Sequence, residues 1–186
     1  MKFKLSLFLF ALLWGCAQEP EKNREQPPPP PETESVDTPY GKSGEIATYL
    51  ATIGPFIRTV SQAEMAVQEQ VGSGGKATGA NLSMAMESIL PSLRQAQEKF
   101  NEVEVPPLLA PLHRDIKKLF VLRIDAYDKT IEGWQQEQET QVKSELYAQA
   151  VAKMKEANEL SFALNQEMKK IQLALKQTAS PQSPQP

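Results

Sequence analysis

The chain has 186 residues, with 20 Lys and Arg against 23 Asp and Glu, 40% hydrophobic residues, 15 prolines, one cysteine and one histidine. One cysteine forbids an internal disulfide framework and a Cys-rich zinc site, and one histidine forbids a His cluster for a metal. A net charge of −3 offers no dense cationic surface to displace counterions from phosphate, so nucleic acid is not an expected partner, and the length suits one ordinary domain.

The amino terminus carries the most specific signal. Lys2 and Lys4 precede an apolar run from Leu5 to Leu13, broken by Ser6, and Trp14-Gly15-Cys16 follows. Such a run covers only ~15 Å of a ~30 Å hydrocarbon core, which fits an export signal and not a membrane span. Leu13-Trp14-Gly15-Cys16 resembles the lipobox of bacterial lipoproteins: a branched aliphatic, a small residue, Gly or Ala, then Cys. Trp14 departs from the small residue usual in its slot. The resemblance covers about sixteen residues of the signal-peptide kind and implies that residues 1–15 are removed. Cys16 then becomes the first residue of the mature protein and its acylation site. It also implies the outer membrane over the inner, because Ala17 and Gln18, with no Asp, follow the cysteine. The competing reading is an ordinary cut after Ala17 that releases a soluble periplasmic protein. Two or more acyl chains hold a protein on a bilayer durably. Without Lys2 and Lys4 the net charge falls from −3 to −5, so the body has no electrostatic attraction to anionic lipid.

Residues 16–43 read as a disordered linker. They include the run Pro27 to Pro31 and, besides proline, almost no apolar side chain: Ala17, Val36 and Tyr40. Such a composition cannot bury enough surface to offset chain entropy. Residues 177–186, which end in Ser180-Pro181-Gln182-Ser183-Pro184-Gln185-Pro186, read as a short disordered tail.

Between 44 and 176 the apolar residues recur at spacings of three and four, the period of an amphipathic helix. The first stripe is Ile46, Leu50, Ile53, Ile57, Val60, Val67 and Val71; the second is Leu82, Met86, Ile89, Leu93, Ala96 and Phe100. The third, opened by Pro107 and Pro111, is Leu109, Leu112, Ile116, Leu119, Phe120, Tyr127, Ile131 and Trp134. The fourth is Leu146, Ala150, Met154, Ala157, Leu164, Met168, Ile171 and Leu175. Connections at Gly72 to Gly79, Val103 to Leu108 and Gln135 to Thr140 are short enough for antiparallel neighbours. The expected fold is all-α, an up-down four-helix bundle. Pro55 and Pro91 fall inside the first two stripes and are expected to kink or break those helices.

Candidate chemistry is sparse. The glycine-rich stretch Gly72-Ser-Gly-Gly-Lys-Ala-Thr-Gly79 fails as a phosphate loop: Ala77 stands where a hydroxyl should bind magnesium, and a helix precedes it instead of a strand. A haem reading would pair His113 with Met65, Met86, Met154 or Met168; the plainer one is a partly buried, hydrogen-bonded histidine among methionines that fill core. No C-x-x-C-H is present for covalent haem. Glu64 and Arg123 occupy slots within apolar stripes, where a lone buried charge is costly. They are therefore expected to pair or snorkel at the middle layers. On the fourth helix Tyr147, Val151, Phe162 and Leu173 form a second apolar row off the core face, the last three at eleven-residue spacing that returns to nearly the same angle. This row is the candidate surface for an envelope protein or for self-association. No nucleophile, base and orienter can be named together. The functional expectation is a non-enzymatic, lipid-anchored interaction or scaffold module of the envelope with no cofactor. The alternative is a small-ligand bundle for haem, a metal or an apolar molecule.

Overall fold

The computed structural model describes residues 36–73 and 78–179. Cys16, the signal and linker up to residue 35, the middle of the glycine-rich loop and the tail from Ser180 lie outside the described residues.

Four long helices account for most of the described chain: α1 (Ser43–Ser73), α2 (Gly79–Asn101), α3 (Ala110–Thr140) and α4 (Leu146–Ala179). Consecutive helices pack against each other, and the fold is an all-α four-helix bundle. Its core is built from the predicted stripes: Ile46, Ile53 and Val60 of α1, Leu93 and Phe100 of α2, Ile116, Phe120 and Tyr127 of α3, and Ala157, Leu164 and Ile171 of α4 are all buried in one cluster. Phe100 is fully buried within it, edge-on to Phe56 with centroids 5.7 Å apart and tilted against Phe120 at 5.7 Å. Among the described residues no helix is long and apolar enough to cross a membrane.

Local chemistry sets most of the helix ends. Thr78 caps α2, its hydroxyl accepting from the Asn81 N–H at 3.2 Å, which satisfies one of the first-turn donors. The α2–α3 connection passes through a single 3₁₀ turn, Pro107–Leu109, before α3 opens with Pro111 in its first turn, where a missing N–H costs nothing. At the end of α3, Gln141 takes a left-handed conformation with φ 58° and donates its N–H to the Glu137 carbonyl.

Three expectations change or narrow. Of the kink or break expected at Pro55 and Pro91, the break is excluded, since α1 and α2 run through both prolines. Each proline forfeits one helical hydrogen bond, while buried Ile53 and Val60 flank Pro55 and buried Ile89, Leu90 and Leu93 flank Pro91. Gly54, having no Cβ, also removes part of the clash that a proline ring makes with the residue before it. The Gln135–Thr140 stretch is the last turn and a half of α3, and the real connection is residues 141–145. Gln and Glu are good helix formers, so polarity there marks an exposed helix end.

The third change concerns residues 36–42, placed in the linker by their polarity. They form a small hairpin, β1 (Asp37–Thr38) and β2 (Gly41–Lys42), with Asp37 opposite Lys42 and Thr38 opposite Gly41. Its turn is Pro39-Tyr40, and Gly41 supplies φ +114°, which a side chain would resist. Thr38 ties the turn by donating to the Gly41 carbonyl at 2.8 Å and accepting from the Tyr40 N–H at 3.0 Å. The hairpin lies against α4, with Tyr40 partly buried on the core.

Candidate functional site

The bundle is not closed evenly. α1 packs on α2, α2 on α3 and α3 on α4, but α1 and α4 barely touch. Near the start of α1 the hairpin lies on α4 and Tyr40 packs on the core. Toward the end of α1 the α1–α4 seam stays open as a groove of about 780 Å³, a volume within the range of small-molecule sites.

All four helices contribute walls. Among the described lining residues, Val67 comes from α1, Leu82 and Met86 from α2, Tyr127 and Trp134 from α3, and Ala150, Val151 and Met154 from α4. These make it largely apolar. Polar groups concentrate toward its two ends, Glu64, Arg123 and Asn158 at the inner end and Thr78, Glu137, Lys143 and Tyr147 toward the mouth, with Gln68 and Thr130 between them.

The inner end is the Glu64–Arg123 layer. The Arg123 guanidinium is 3% exposed and forms an ion pair with the Glu64 carboxylate, which is 32% exposed. Nη2 also donates to Asn158 Oδ1 at 2.6 Å, and Nη1 donates to the Met154 sulfur. A single arginine on α3 thus holds one residue of α1 and two of α4, across the seam that the helices leave open. Its Nε is buried and makes no hydrogen bond. A buried donor without an acceptor is costly, so the guanidinium is fully desolvated but incompletely satisfied.

The mouth is shaped by Tyr147. Its ring lies against Gly133, where a Cβ would be 3.2 Å from Tyr147 Cε1. Its hydroxyl points at Gly79, where a Cβ would also meet Trp134 Cε3 at 2.8 Å. Two glycines on neighbouring helices therefore make the space for one tyrosine of α4. The Tyr147 phenol is pushed up to about 12, by burial first and then by the nearby Glu137 carboxylate. Its hydroxyl keeps its proton yet makes no well-directed hydrogen bond. Behind the groove wall three buried polar atoms thus lack a well-directed hydrogen bond, the acceptor Glu64 Oε1, Arg123 Nε–H and the Tyr147 hydroxyl, the last with the Glu137 carboxylate nearby.

Tyr147 corrects the expected apolar row. Val151, Phe162 and Leu173 are 69%, 67% and 57% exposed and share one outward angle, but Tyr147 stands ~40° round the helix from Val151 and turns into the groove. Val151 lies at the groove's rim while the other two continue along α4. The two glycines that accept Tyr147 carry no helical period, so no pattern along the chain marks the cradle.

His113 lies elsewhere, ~15 Å along α3 from Arg123. It is buried, stacked on Phe100 with centroids 4.3 Å apart, and its Nδ1 is 3.0 Å from the Tyr49 hydroxyl. Burial, with a smaller contribution from Lys117, holds its pKa below the ordinary histidine value. Burial also pushes Tyr49 up to about 12, so the phenol keeps its proton and shares a neutral hydrogen bond with the imidazole, its direction set by the histidine tautomer. Of the methionines weighed as its axial partners, Met65 is exposed, Met86 and Met154 line the groove, and Met168 packs at the edge of the core. Among the described residues no group of three His, Cys, Asp or Glu side chains is placed to hold a metal ion. Compared with protein-family models, with curated proteins and with solved structures, the chain matches none.

Proposed function

We propose that this is a lipid-anchored protein of the bacterial envelope, held through acylated Cys16 and facing the periplasm, whose bundle works by binding a guest in the α1–α4 groove and catalyses nothing. The observation that carries the reading is the open α1–α4 seam itself, a groove of about 780 Å³ with largely apolar walls drawn from all four helices, within the size range of small-molecule sites. A catalytic reading would need a nucleophile with a base and an orienter; at the inner end the polar groups are an ion pair and an amide, and toward the mouth Thr78, Glu137, Lys143 and the Tyr147 phenol line the groove with no hydrogen-bonded nucleophile and base among them. The lipobox resemblance supports the anchor, and the absence of Asp after Cys16 supports the outer membrane.

The test uses the full chain purified from membranes of its native host. Metabolic labelling with palmitate should mark the wild-type chain, and Cys16→Ser should abolish both label and membrane retention. Native mass spectrometry should find a stoichiometric guest that is lost in Val151→Phe, which narrows the groove's rim. A bare chain in every preparation would overturn the binding reading, and an unlabelled chain would overturn the anchor.

A second reading rests on the exposed row Val151, Phe162 and Leu173: a protein of the envelope, or a second copy, docks on the outer face of α4. Phe162→Ser should then reduce co-purification or dimerisation while the groove still holds its guest.

A further inference from the structure

Helix α4 gives one face to the core, through buried Ala157, Leu164 and Ile171, and leaves the opposite face uncovered. On that outer face Val151, Phe162 and Leu173 are each more than half exposed. Lys155, Lys169 and Lys176 are exposed in the same row, all six within ~40° of one line along the helix. No acid falls in the row. The three glutamates of α4, Glu156, Glu159 and Glu167, all lie on one flank, ~60–140° round from Phe162. The nearest, Glu159, pairs with Lys155 at 4.0 Å with both side chains mostly exposed, and such surface pairs are weak. A helix side that meets only water carries mixed polar residues. Apolar and cationic side chains set along one line are instead the pattern of a helix lying at a bilayer surface.

A second copy fits this face less well. Two α4 helices set antiparallel about Phe162 would place Val151 against Leu173 but also Lys155 against Lys169, and a parallel pair would place each lysine against itself; like charges so placed repel. We propose that the outer face of α4 docks on a bilayer containing anionic lipid, with Phe162 at the centre of the apolar contact, Val151 and Leu173 ~16 Å to either side, and Lys155 and Lys169 on headgroup phosphates. The proposal rests on the acylated Cys16 of the reading above to bring the bundle to a membrane, and not on the guest. With Lys2 and Lys4 removed the chain carries −5, which favours standing off the surface, but salt screens each charge beyond about 8 Å. At the contact the lysines of the row therefore outweigh acids on the far sides of the bundle. Val151 is also on the groove's rim, so docking sets the α1–α4 seam beside the bilayer.

Acylation consumes the chain's one cysteine, so a cysteine introduced elsewhere takes a nitroxide label alone. Gln166→Cys puts the label in the row and Gln95→Cys puts it on the exposed side of α2. Each full chain is purified with its lipid, checked for palmitate, and reconstituted in phosphatidylcholine vesicles with or without one part in three phosphatidylglycerol. Power saturation then compares collisions with oxygen, which enters the bilayer, and with a nickel chelate, which stays in water. In the phosphatidylglycerol vesicles the label at 166 should meet more oxygen and less nickel than the label at 95; without anionic lipid the two should be alike. Lys155→Gln with Lys169→Gln should lower the ratio of docked to undocked chain by about fivefold per lysine. Phe162→Ser should lower it by about tenfold, with circular dichroism confirming the helical fold. Equal nickel access at both labels in phosphatidylglycerol vesicles overturns docking. Shielding that is the same in both vesicles and survives the lysine changes overturns the anionic class. Shielding accompanied by spin–spin broadening that unlabelled chain removes gives the face to a second copy, and shielding lost when a co-purifying protein is stripped away gives it to that protein; either overturns the bilayer. If palmitate never labels the chain, the anchor reading fails, and the same labels in Cys16→Ser chains mixed with the vesicles decide the face separately.

Discussion

Arg123 of α3 and Glu64 of α1 meet at the inner end of the groove, with the arginine almost wholly buried and the glutamate a third exposed. The two losses are therefore unequal. Removing Glu64 strands a guanidinium that cannot reach water, whereas removing Arg123 leaves a carboxylate that can. Glu64→Leu should cost about 3–5 kcal/mol, the cost of breaking a buried pair from one side. Arg123→Met should cost less, and the double variant Glu64→Leu/Arg123→Met should recover most of the loss, since apolar replacement of a buried pair is often neutral. Urea denaturation of the four proteins checks this, and additive single losses would refute the coupling.

Gly79 and Tyr147 make a second test, at the groove's mouth. A Cβ on residue 79 would collide with the Tyr147 hydroxyl and with Trp134 Cε3 at 2.8 Å. Gly79→Ala should cost about 1–3 kcal/mol, the usual range for overpacking. Tyr147→Phe removes a hydroxyl with no well-directed partner and should be neutral or slightly stabilising. Because it also removes one of the two colliding atoms, it should relieve part of the Gly79→Ala loss. Thermal melts of the single and double variants measure that relief.

How far these features could be read from the sequence depends on whether a period carried them. The helices were legible because Ile46, Ile53 and Val60, or Ile116, Leu119 and Phe120, recur at the helical spacing and are in fact the buried face. Glu64 and Arg123 stood out for the converse reason, charges in apolar slots. The hairpin at 36–42 escaped because its signal is local: Thr-Pro-Tyr-Gly is turn chemistry with proline at the second position and glycine at the left-handed one, but its composition matched the linker before it. The groove escaped for a different reason. It depends on α1 and α4 failing to meet and on Gly79 and Gly133 facing one tyrosine, and both are relations between helices that no single stripe records. Helix angle alone placed Tyr147 with Val151, and only the cradle shows which way it turns.

Phe162 and Leu173, by contrast, are exposed as their angle implies. Phe162→Ser and Leu173→Ser should leave the melting midpoint of the isolated chain within the small range of surface substitutions, about 0.5 kcal/mol. A larger drop would mean that α4's outer face is covered in the folded protein.

His113 gives the fold a pH dependence whose sign follows from its depressed pKa. The unfolded chain holds its imidazole proton up to the ordinary value of about 6.5, while the folded chain releases it at lower pH. Below about 6.5 the unfolded state therefore binds more protons, and stability falls as pH falls until the folded-state pKa is passed. Above about 6.5 the imidazole is neutral in both states and its contribution is constant. His113→Gln, which can still hydrogen-bond with Tyr49, should flatten this part of the profile. Urea midpoints at several pH values between 5 and 8 test it, and an unchanged slope in the variant would assign the dependence to other groups.

Gln141 shows a place where the fold tolerates strain that a single change should remove. It ends α3 in the left-handed region at φ 58°, which costs a residue with a Cβ about 1–2 kcal/mol and which glycine adopts freely. Two hydrogen bonds keep it there, its N–H to the Glu137 carbonyl at 2.9 Å and its side-chain Nε2 to the Gln138 carbonyl at 2.8 Å. Gln141→Gly retains the first and loses the second, an exposed bond of small net value. The variant should gain about 0.5–1 kcal/mol, read as a higher melting midpoint. Gln141→Ala separates the two contributions: it keeps the left-handed penalty and loses the side-chain bond, so it should be less stable than the wild type while Gln141→Gly is more stable. If both fall together, the side chain and not the backbone decides how α3 ends.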